Sequence, residues 1–357
     1  WSETDYAADT SGGAIVDMVC SSLDADILYV TDGNYVYKTS DGGDTWSYVK
    51  RDSLEEALMG ACGCPVIGRP ITCIDVTYDD NDNPYVFIGT RSHYANCLDP
   101  TPGTIPGSVY FIGEAGYPSN WSDLNLSCYS TGDYDALAVG CAPDWADTNE
   151  TYVVVTNGIE THVVITTGGP CDWPKFAELK YNCNTTFGSL FASRIAFPDD
   201  WEDTETLFVG VVDIEPCSGP AGDVYMVMDG SALDMNVLGI TSGCIGVEPV
   251  DIISLDIEGD TDEARLIAGS FCCNKVYCSE DGGWSWDASA KDPTGAYLTY
   301  AIWYEDTALA ATAGCECAVS MCSGEDYPCE FWNQISLIAT DIEEARWIDH
   351  SPGYVCG

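Results

Sequence analysis

Apolar residues in this chain come in short alternating runs, separated by acidic or proline-containing turns. Tyr, Val, Ile, Thr and Trp dominate the runs, which gives them the two-residue period of half-buried strands. Helical composition is confined to a short stretch around Glu55 to Met59. The runs also recur as a phrase: an apolar strand, an acidic or proline turn, and a second apolar strand. Seven segments carry it, at 19–33, 76–90, 140–156, 195–211, 255–269, 301–314 and 347–357. Their spacing of about 45–65 residues suits a four-stranded propeller blade with loop insertions. Two tandem sandwiches would leave the recurrence unexplained. The expected fold is therefore all-β, one β-propeller domain over 1–357 with about seven four-stranded blades. Repeat cores fall near 18–49, 71–124, 135–179, 193–238, 252–289 and 298–336, with a seventh made of 339–357 and 1–17.

One corner appears twice in full. The stretch YVYKTSDGGDTWSYV (35–49) returns as VYCSEDGGWSWDAS (276–289). Thr39, Asp41, Gly43, Thr45 and Trp46 correspond to Ser279, Asp281, Gly283, Ser285 and Trp286. An Asp carboxylate can accept the N–H groups of a tight turn, Gly supplies a positive φ, and the Trp ring packs beneath the hairpin. Degenerate corners follow in other repeats, at 165–173, 227–235 and 323–332.

The Ser/Thr-x-Asp-x-Gly-x-Thr-Trp pattern resembles the Asp-box, or BNR repeat. Through it the chain is similar to the Asp-box β-propeller superfamily of sialidase-like and sortilin-like folds, and closest in character to extracellular surface propellers. The resemblance implies a structural role for the ten corner residues. Blade topology then sorts the loops, because the 2–3 and 4–1 connections emerge on one face and the 1–2 and 3–4 turns on the other. The insertions 50–70, 91–107, 180–192, 213–222 and 239–251 all belong to the first face. They read either as a recognition platform or as tolerated insertions held by disulfides.

Composition narrows the setting. There are 58 Asp and Glu against 12 Lys and Arg, a formal net charge of −46. Such a surface repels phosphate backbones, which argues against nucleic acid and anionic lipid as partners. No apolar run approaches the length of a membrane span. The 19 cysteines exceed what a reducing cytosol accommodates without metal, and Cys62, Cys64, Cys272, Cys273, Cys315 and Cys317 lack a His at ligand spacing. Disulfides are the expected state for these and for Cys97, Cys183, Cys217 and Cys244, each contributing on the order of 2–4 kcal/mol. Sequons at Asn120, Asn125, Asn149 and Asn184 fit an exported, glycosylated protein. The chain begins at Trp1 without a charged, apolar leader, so a signal or pro-segment is expected to have been removed.

Chemistry is sparser. Asp79, Asp80 and Asp82 lie in an oxygen-rich turn that suggests calcium, but the turn lacks the Gly and terminal Glu of an EF-hand loop; a solvated Asx turn is the competing reading. No other cofactor is indicated. Arg51, Arg69, Arg91, Arg194, Arg265 and Arg346 are the only arginines. The first three lie on or beside one insertion, whereas a sialidase clamps its substrate carboxylate with arginines from separate blades. His93, His162 and His350 are scattered and accompany no nucleophile motif. With no catalytic residues assigned, the enzyme reading reduces to a glycoside hydrolase using two carboxylates.

Two functions follow. One is a non-catalytic extracellular structural or binding propeller, a cell-surface, S-layer or filament subunit that self-associates into an array or fibre. The other is a secreted carbohydrate-active propeller, a hydrolase or a glycan-binding module. The termini supply the last expectation: residues near Trp1 to Tyr6 would add the outer strand to the blade begun by Ala345 to Gly357. In the alternative, one subunit's terminus completes the next subunit's blade, with Cys356 sealing the joint.

Overall fold

β-Branched and aromatic runs become strands, and the acidic turns between them become the hairpin bends. A computed structural model describes residues 6, 10, 14–59, 66–67, 70–95, 104–115, 117–130, 133–181, 185–186, 190–213, 222–234, 250–271, 274–295, 298–304, 307–313, 317–323 and 329–336. Blade 1 is the antiparallel meander β1 (Asp17–Cys20), β2 (Leu28–Thr31), β3 (Val36–Thr39) and β4 (Ser47–Tyr48). Helix α1 (Arg51–Met59) follows, burying Leu54 and Leu58, and then β5 (Val66–Ile67). Blade 2 is β6 (Ile71–Tyr78), β7 (Pro84–Thr90), β10 (Val109–Gly113) and β11 (Ser122–Asp123). Its 2–3 connection holds β8 (His93–Ala95) and β9 (Thr104–Ile105).

Blade 3 comprises β12 (Asp135–Cys141), β13 (Thr151–Thr156), β14 (Thr161–Thr166) and β15 (Lys175–Tyr181), extended by β16 (Thr185–Thr186). Blade 4 is β17 (Leu190–Ala196), β18 (Leu207–Asp213), β19 (Val224–Met228) and β20 (Ser231–Asp234). Blade 5 is β21 (Ile252–Glu258), β22 (Arg265–Ser270), β23 (Val276–Ser279) and β24 (Asp287–Ala288). Blade 6 is β25 (Leu298–Tyr304), β26 (Thr307–Ala313), β27 (Ala318–Ser323) and β28 (Asn333–Gln334).

The chain divides into two compact units, one on residues 1–155 with 165–174 and the other on 156–164 with 175–348. In the first, Tyr29 and Val36 of blade 1 pack with Ile74, Val86, Ile88 and Trp121 of blade 2. In the second, Phe208 packs with Ile252, Leu266 and Tyr277, and Ile267 with Trp303 and Trp332. Small residues let neighbouring blades approach closely. A Cβ on Gly269 would lie 2.5 Å from Ser254 Oγ and 2.8 Å from the carbonyl carbon of Thr299.

A second device joins consecutive blades. On three first strands an Asp accepts the N–H of its own successor with one carboxylate oxygen and an N–H of the next blade's first strand with the other. Asp17 accepts from Met18 (2.7 Å) and Ile74 (3.0 Å), Asp75 from Val76 (2.8 Å) and Cys141 (2.7 Å), and Asp256 from Ile257 (3.0 Å) and Trp303 (2.8 Å). These N–H groups are buried or half-buried between blades, so the carboxylate completes an otherwise unsatisfied edge. Asp17→Ala is expected to cost about 1–3 kcal/mol in chemical denaturation, the penalty for leaving a buried donor unpaired. A loss within a few tenths of that of an exposed control would show that Asp17 does not hold the blades.

Among the described residues the protein is thus an all-β propeller of six blades, each built on a four-stranded meander, which corrects the expected seven. The seventh repeat rested on a single two-strand phrase with no corner after it. Residues 1–5 and 337–357, with Cys356, lie outside the described residues. Tyr6 is helical: its carbonyl accepts the N–H of Thr10 (3.1 Å) and the Thr10 hydroxyl (2.6 Å). Its ring packs edge-on against Tyr37 (5.6 Å) and Trp46 (5.4 Å).

Candidate functional site

The two full corners share one geometry. In blade 1 the Thr39 hydroxyl donates to Asp41 Oδ1 (2.7 Å) and accepts the Gly43 N–H (2.9 Å). Asp41 then accepts the Thr45 N–H on Oδ1 (2.8 Å) and the Thr45 hydroxyl on Oδ2 (2.6 Å). In blade 5, Ser279, Asp281, Gly283 and Ser285 repeat these bonds at 2.9, 2.8, 2.7 and 2.6 Å. The Trp46 indole donates to the Gly43 carbonyl (3.1 Å), and Trp286 to that of Gly283 (2.8 Å). Positive φ at Gly42 (68°), Gly43 (98°), Gly282 (68°) and Gly283 (88°) lets the chain turn this tightly. Both Trp rings are half-buried rather than enclosed.

Electrostatics reinforces the corners. Hydrogen bonds from Thr45 and Thr39 hold the exposed Asp41 carboxyl down at about 2. At Asp281 partial burial pushes the carboxyl up, but the bonds from Ser285 and Ser279 outweigh it and keep the group below the usual carboxylate range. A depressed folded-state pKa means that the stabilisation is present above the ordinary Asp pKa and is lost as pH falls through the folded value. Carboxyl NMR titration of Asp41 is expected to show a midpoint near 2, and Thr45→Val should raise it. An unshifted midpoint would mean that the carboxylate is free of the turn.

The degenerate corners use a different bond. Cys171, in the 3–4 corner of blade 3, is joined to Cys128, just after the last strand of blade 2, across a Cα–Cα distance of 5.1 Å. Cys329, in the 3–4 corner of blade 6, is joined to Cys278 on β23 of blade 5 across 6.2 Å. Each disulfide therefore ties one blade to the corner of the next. The Trp332 indole donates to the Cys329 carbonyl (3.1 Å), the same three-residue reach that Trp46 and Trp286 make. Trp173 instead donates to Leu124 in blade 2 (3.0 Å). Sequence reasoning missed these four cysteines. The signal was available: in both degenerate corners a Cys precedes the Trp by two or three residues.

Beside the second corner lies a cleft of about 410 Å³, lined by Cys278, Glu280, Asp281, Ser285, Asp287, Ala288, Ala290, Cys329 and Glu330. Four of these nine are acidic and none is basic. Trp284, 64% exposed, and Phe331, 54% exposed, adjoin the lining residues Ser285 and Glu330 in the chain. Glu280, Asp287, Glu330 and Trp284 were not singled out from sequence, where acidic residues are too common to stand out.

The other sequence-level candidates are dispersed. Two of the long insertions meet in a small sheet of order β5-β8-β9, pairing Val66 with Ala95 and Tyr94 with Thr104. Asp79 spends its carboxylate on the N–H groups of Asn81 (2.9 Å) and Asn83 (2.9 Å) and on the Asn83 amide, with Asn83 first among the bonds that lower its pKa. Among the described residues no three His, Cys, Asp or Glu side chains are grouped as a metal ion requires. Arg51 pairs with Glu55 (2.9 Å) and lies over the rings of Tyr35 (4.8 Å) and Tyr48 (5.0 Å). Arg265 pairs with Glu258 (3.0 Å), and Arg194 Nη1 donates to the Ser193 carbonyl (3.0 Å). Arg91 is half-buried, where burial lowers its pKa against the raising effect of Asp135.

His162 is buried in β14, with its pKa lowered by burial and then by Lys175. Asn120 and Asn149 are exposed, while Asn125 is half-buried with positive φ. Cys317 is buried just before β27. Cys62, Cys64, Cys97, Cys183, Cys217, Cys244, Cys272, Cys273, Cys315, Arg69, Arg346, His350 and Asn184 lie outside the described residues. No helix among the described residues is long and apolar enough to cross a membrane.

Comparison with known proteins bears on the fold. The sequence matches no protein-family model and no curated protein. Among solved structures, an ancestral GH74 enzyme is similar with a TM-score of 0.51 and 10% identity, over 90% of this chain and 38% of that one. YCF48 from Cyanidioschyzon merolae gives 0.49 at 14% identity, over 90% of this chain and 84% of that one. The WD40 propeller domain of Doa1 gives 0.45 at 12% identity, over 91% and 83%. What this chain shares with the GH74 enzyme is the β-propeller fold.

Proposed function

We propose that this is a non-catalytic extracellular structural or binding propeller, a cell-surface, S-layer or filament subunit, folded as one domain. The observation that carries the reading is the pair of disulfides, each joining a blade to the corner of the next. Crosslinks between blades suit a protein that persists in an oxidising exterior under mechanical or osmotic load, where blade packing by itself would yield. The net charge of −46 suits a surface facing salt water or a cell envelope. The two full corners are assigned as Asp-boxes on their shared hydrogen-bond set, and Asn120 and Asn149 as glycan acceptors on their exposure. Electron microscopy of the native material tests the reading: ordered arrays or fibres support it, and uniformly dispersed particles refute it. Thiol counting on denatured, unreduced protein should find few free groups; a majority of free thiols would remove the extracellular assignment.

A second reading, a secreted carbohydrate-active propeller, is favoured by the exposed Trp284 and Phe331 beside a carboxylate-lined cleft, since aromatic faces and carboxylates are what sugars contact. Binding of neutral β-glucans that is lost in Trp284→Ala would support it, and no binding to any glycan would sink it.

A further inference from the structure

The corners of blades 1, 5 and 6 share one register. In each, the residue just after the corner Trp pairs with the third strand: Ser47 with Lys38, Asp287 with Cys278 and Asn333 with Met321. The next residue along that strand is therefore one structural position, held by Thr39, Ser279 and Cys322. The indole bond marks a second position, three residues before the Trp, held by Gly43, Gly283 and Cys329. The full corners keep these two positions in contact, with Thr39 Oγ1 accepting the Gly43 N–H at 2.9 Å and Ser279 Oγ the Gly283 N–H at 2.8 Å. Blade 6 carries a cysteine at both.

The Cys322 sulfur takes over the hydroxyl's part, accepting from the N–H groups of Phe331 and Glu330, the two residues that follow Cys329. Cys322 is a free thiol, 1% exposed, in the same apolar cluster as the disulfide-bonded Cys278 and Cys329. A thiol and a disulfide thus share one enclosed space. We propose that Cys329 has two partners, and that the Cys322 thiolate attacks the Cys329 sulfur, forming Cys322–Cys329 and expelling Cys278 as a thiolate that takes up the proton Cys322 gave up. One disulfide and one thiol stand on each side of this exchange, so no oxidant or reductant enters it. The link between blades becomes a link inside blade 6, and the freed Cys278 thiol lies on the wall of the cleft beside the second corner.

Packing and chain entropy set the direction. Cys278–Cys329 ties residues 51 positions apart and needs blades 5 and 6 to stay together. Cys322 and Cys329, seven positions apart, close a shorter loop at lower entropic cost. Opening the gap between blades 5 and 6 therefore favours the short link, and closing it restores the long one. Burial pushes the Cys322 thiol up, against the N–H groups of Phe331 and Glu330. Because the thiolate is the attacking form, this holds the exchange in check while the blades are packed. The exchange is internal to two blades and proceeds whether or not the chain assembles or binds sugar.

The test is iodoacetamide trapping of the full chain in sub-denaturing urea, followed by non-reducing peptide mass spectrometry. Label is expected to accumulate on Cys278, together with an internal Cys322–Cys329 loop. Cys322→Ser, which restores the hydroxyl of the full corners, should lose the label on Cys278 and retain Cys278–Cys329. In Cys278→Ser, Cys329 should pair with Cys322. The proposal is overturned if Cys278 stays unlabelled in the wild type or is labelled as fast in Cys322→Ser. It is overturned equally if label collects on Cys322 with Cys278–Cys329 intact, or if Cys322 and Cys329 both remain free in Cys278→Ser.

Discussion

Trp332→Ala is expected to lower the free energy of unfolding by about 3–5 kcal/mol, the usual cost of removing a large enclosed aromatic. Trp332 is only 1% exposed and sits in the blade 5–6 cluster with Ile267, Val276, Ala301 and Trp303. Its removal leaves a cavity among these neighbours and takes away the indole's hydrogen bond to the Cys329 carbonyl. Trp286→Ala, at the equivalent corner position in blade 5, should cost only about half as much because that ring is half-buried. Urea denaturation of the two variants makes the comparison. If Trp286→Ala proves the more damaging, the corner geometry and not burial governs these positions.

Removing the crosslink at the same place should be nearly as costly. The pair Cys278→Ser with Cys329→Ser opens a covalent loop of sequence separation 51, for which chain entropy gives an upper value of about 4 kcal/mol and typical disulfides give about 2–4 kcal/mol. Both sulfurs also lie in the apolar cluster that holds Trp332, so two hydroxyls would replace buried apolar atoms. Because the Trp332 indole bonds to the Cys329 carbonyl, the disulfide and the ring act through one corner. The triple variant should therefore lose less than the sum of the separate changes, by about 0.5–3 kcal/mol. Strict additivity would show that the disulfide and the ring stabilise the blade independently.

The fold was legible because it is written in local terms. Alternating apolar runs, each followed by an acidic turn, specify strands whatever lies beside them, and the Asp-Gly-Gly corners at 41–43 and 281–283 specify tight turns because only glycine takes positive φ without strain. The blade count was less legible. A two-strand phrase such as 347–357 satisfies the same alternation without the corner that would commit it to a blade, and Tyr6 looked like strand until its ring found Tyr37 and Trp46.

The candidate cleft was hidden for a different reason. Among 58 acidic residues, nothing in the sequence separates Glu280, Asp287 and Glu330 from solvated surface charge. Their juxtaposition requires that residue 287 and residue 330 face one gap, and that depends on how two blades pack.

The amino-acid sequence by itself thus determined a predominantly β architecture, its repeat, its turn chemistry and its charge, all properties of residues within a few positions of one another. Tertiary structure decided the rest: that Asp17, Asp75 and Asp256 reach across to the next blade, that Cys278 meets Cys329 and Cys128 meets Cys171, and that Asp287 and Glu330 line one acidic cleft. Each of these couples residues 40 or more positions apart in the chain, and such pairs are set by the packing of whole blades, which no local pattern encodes.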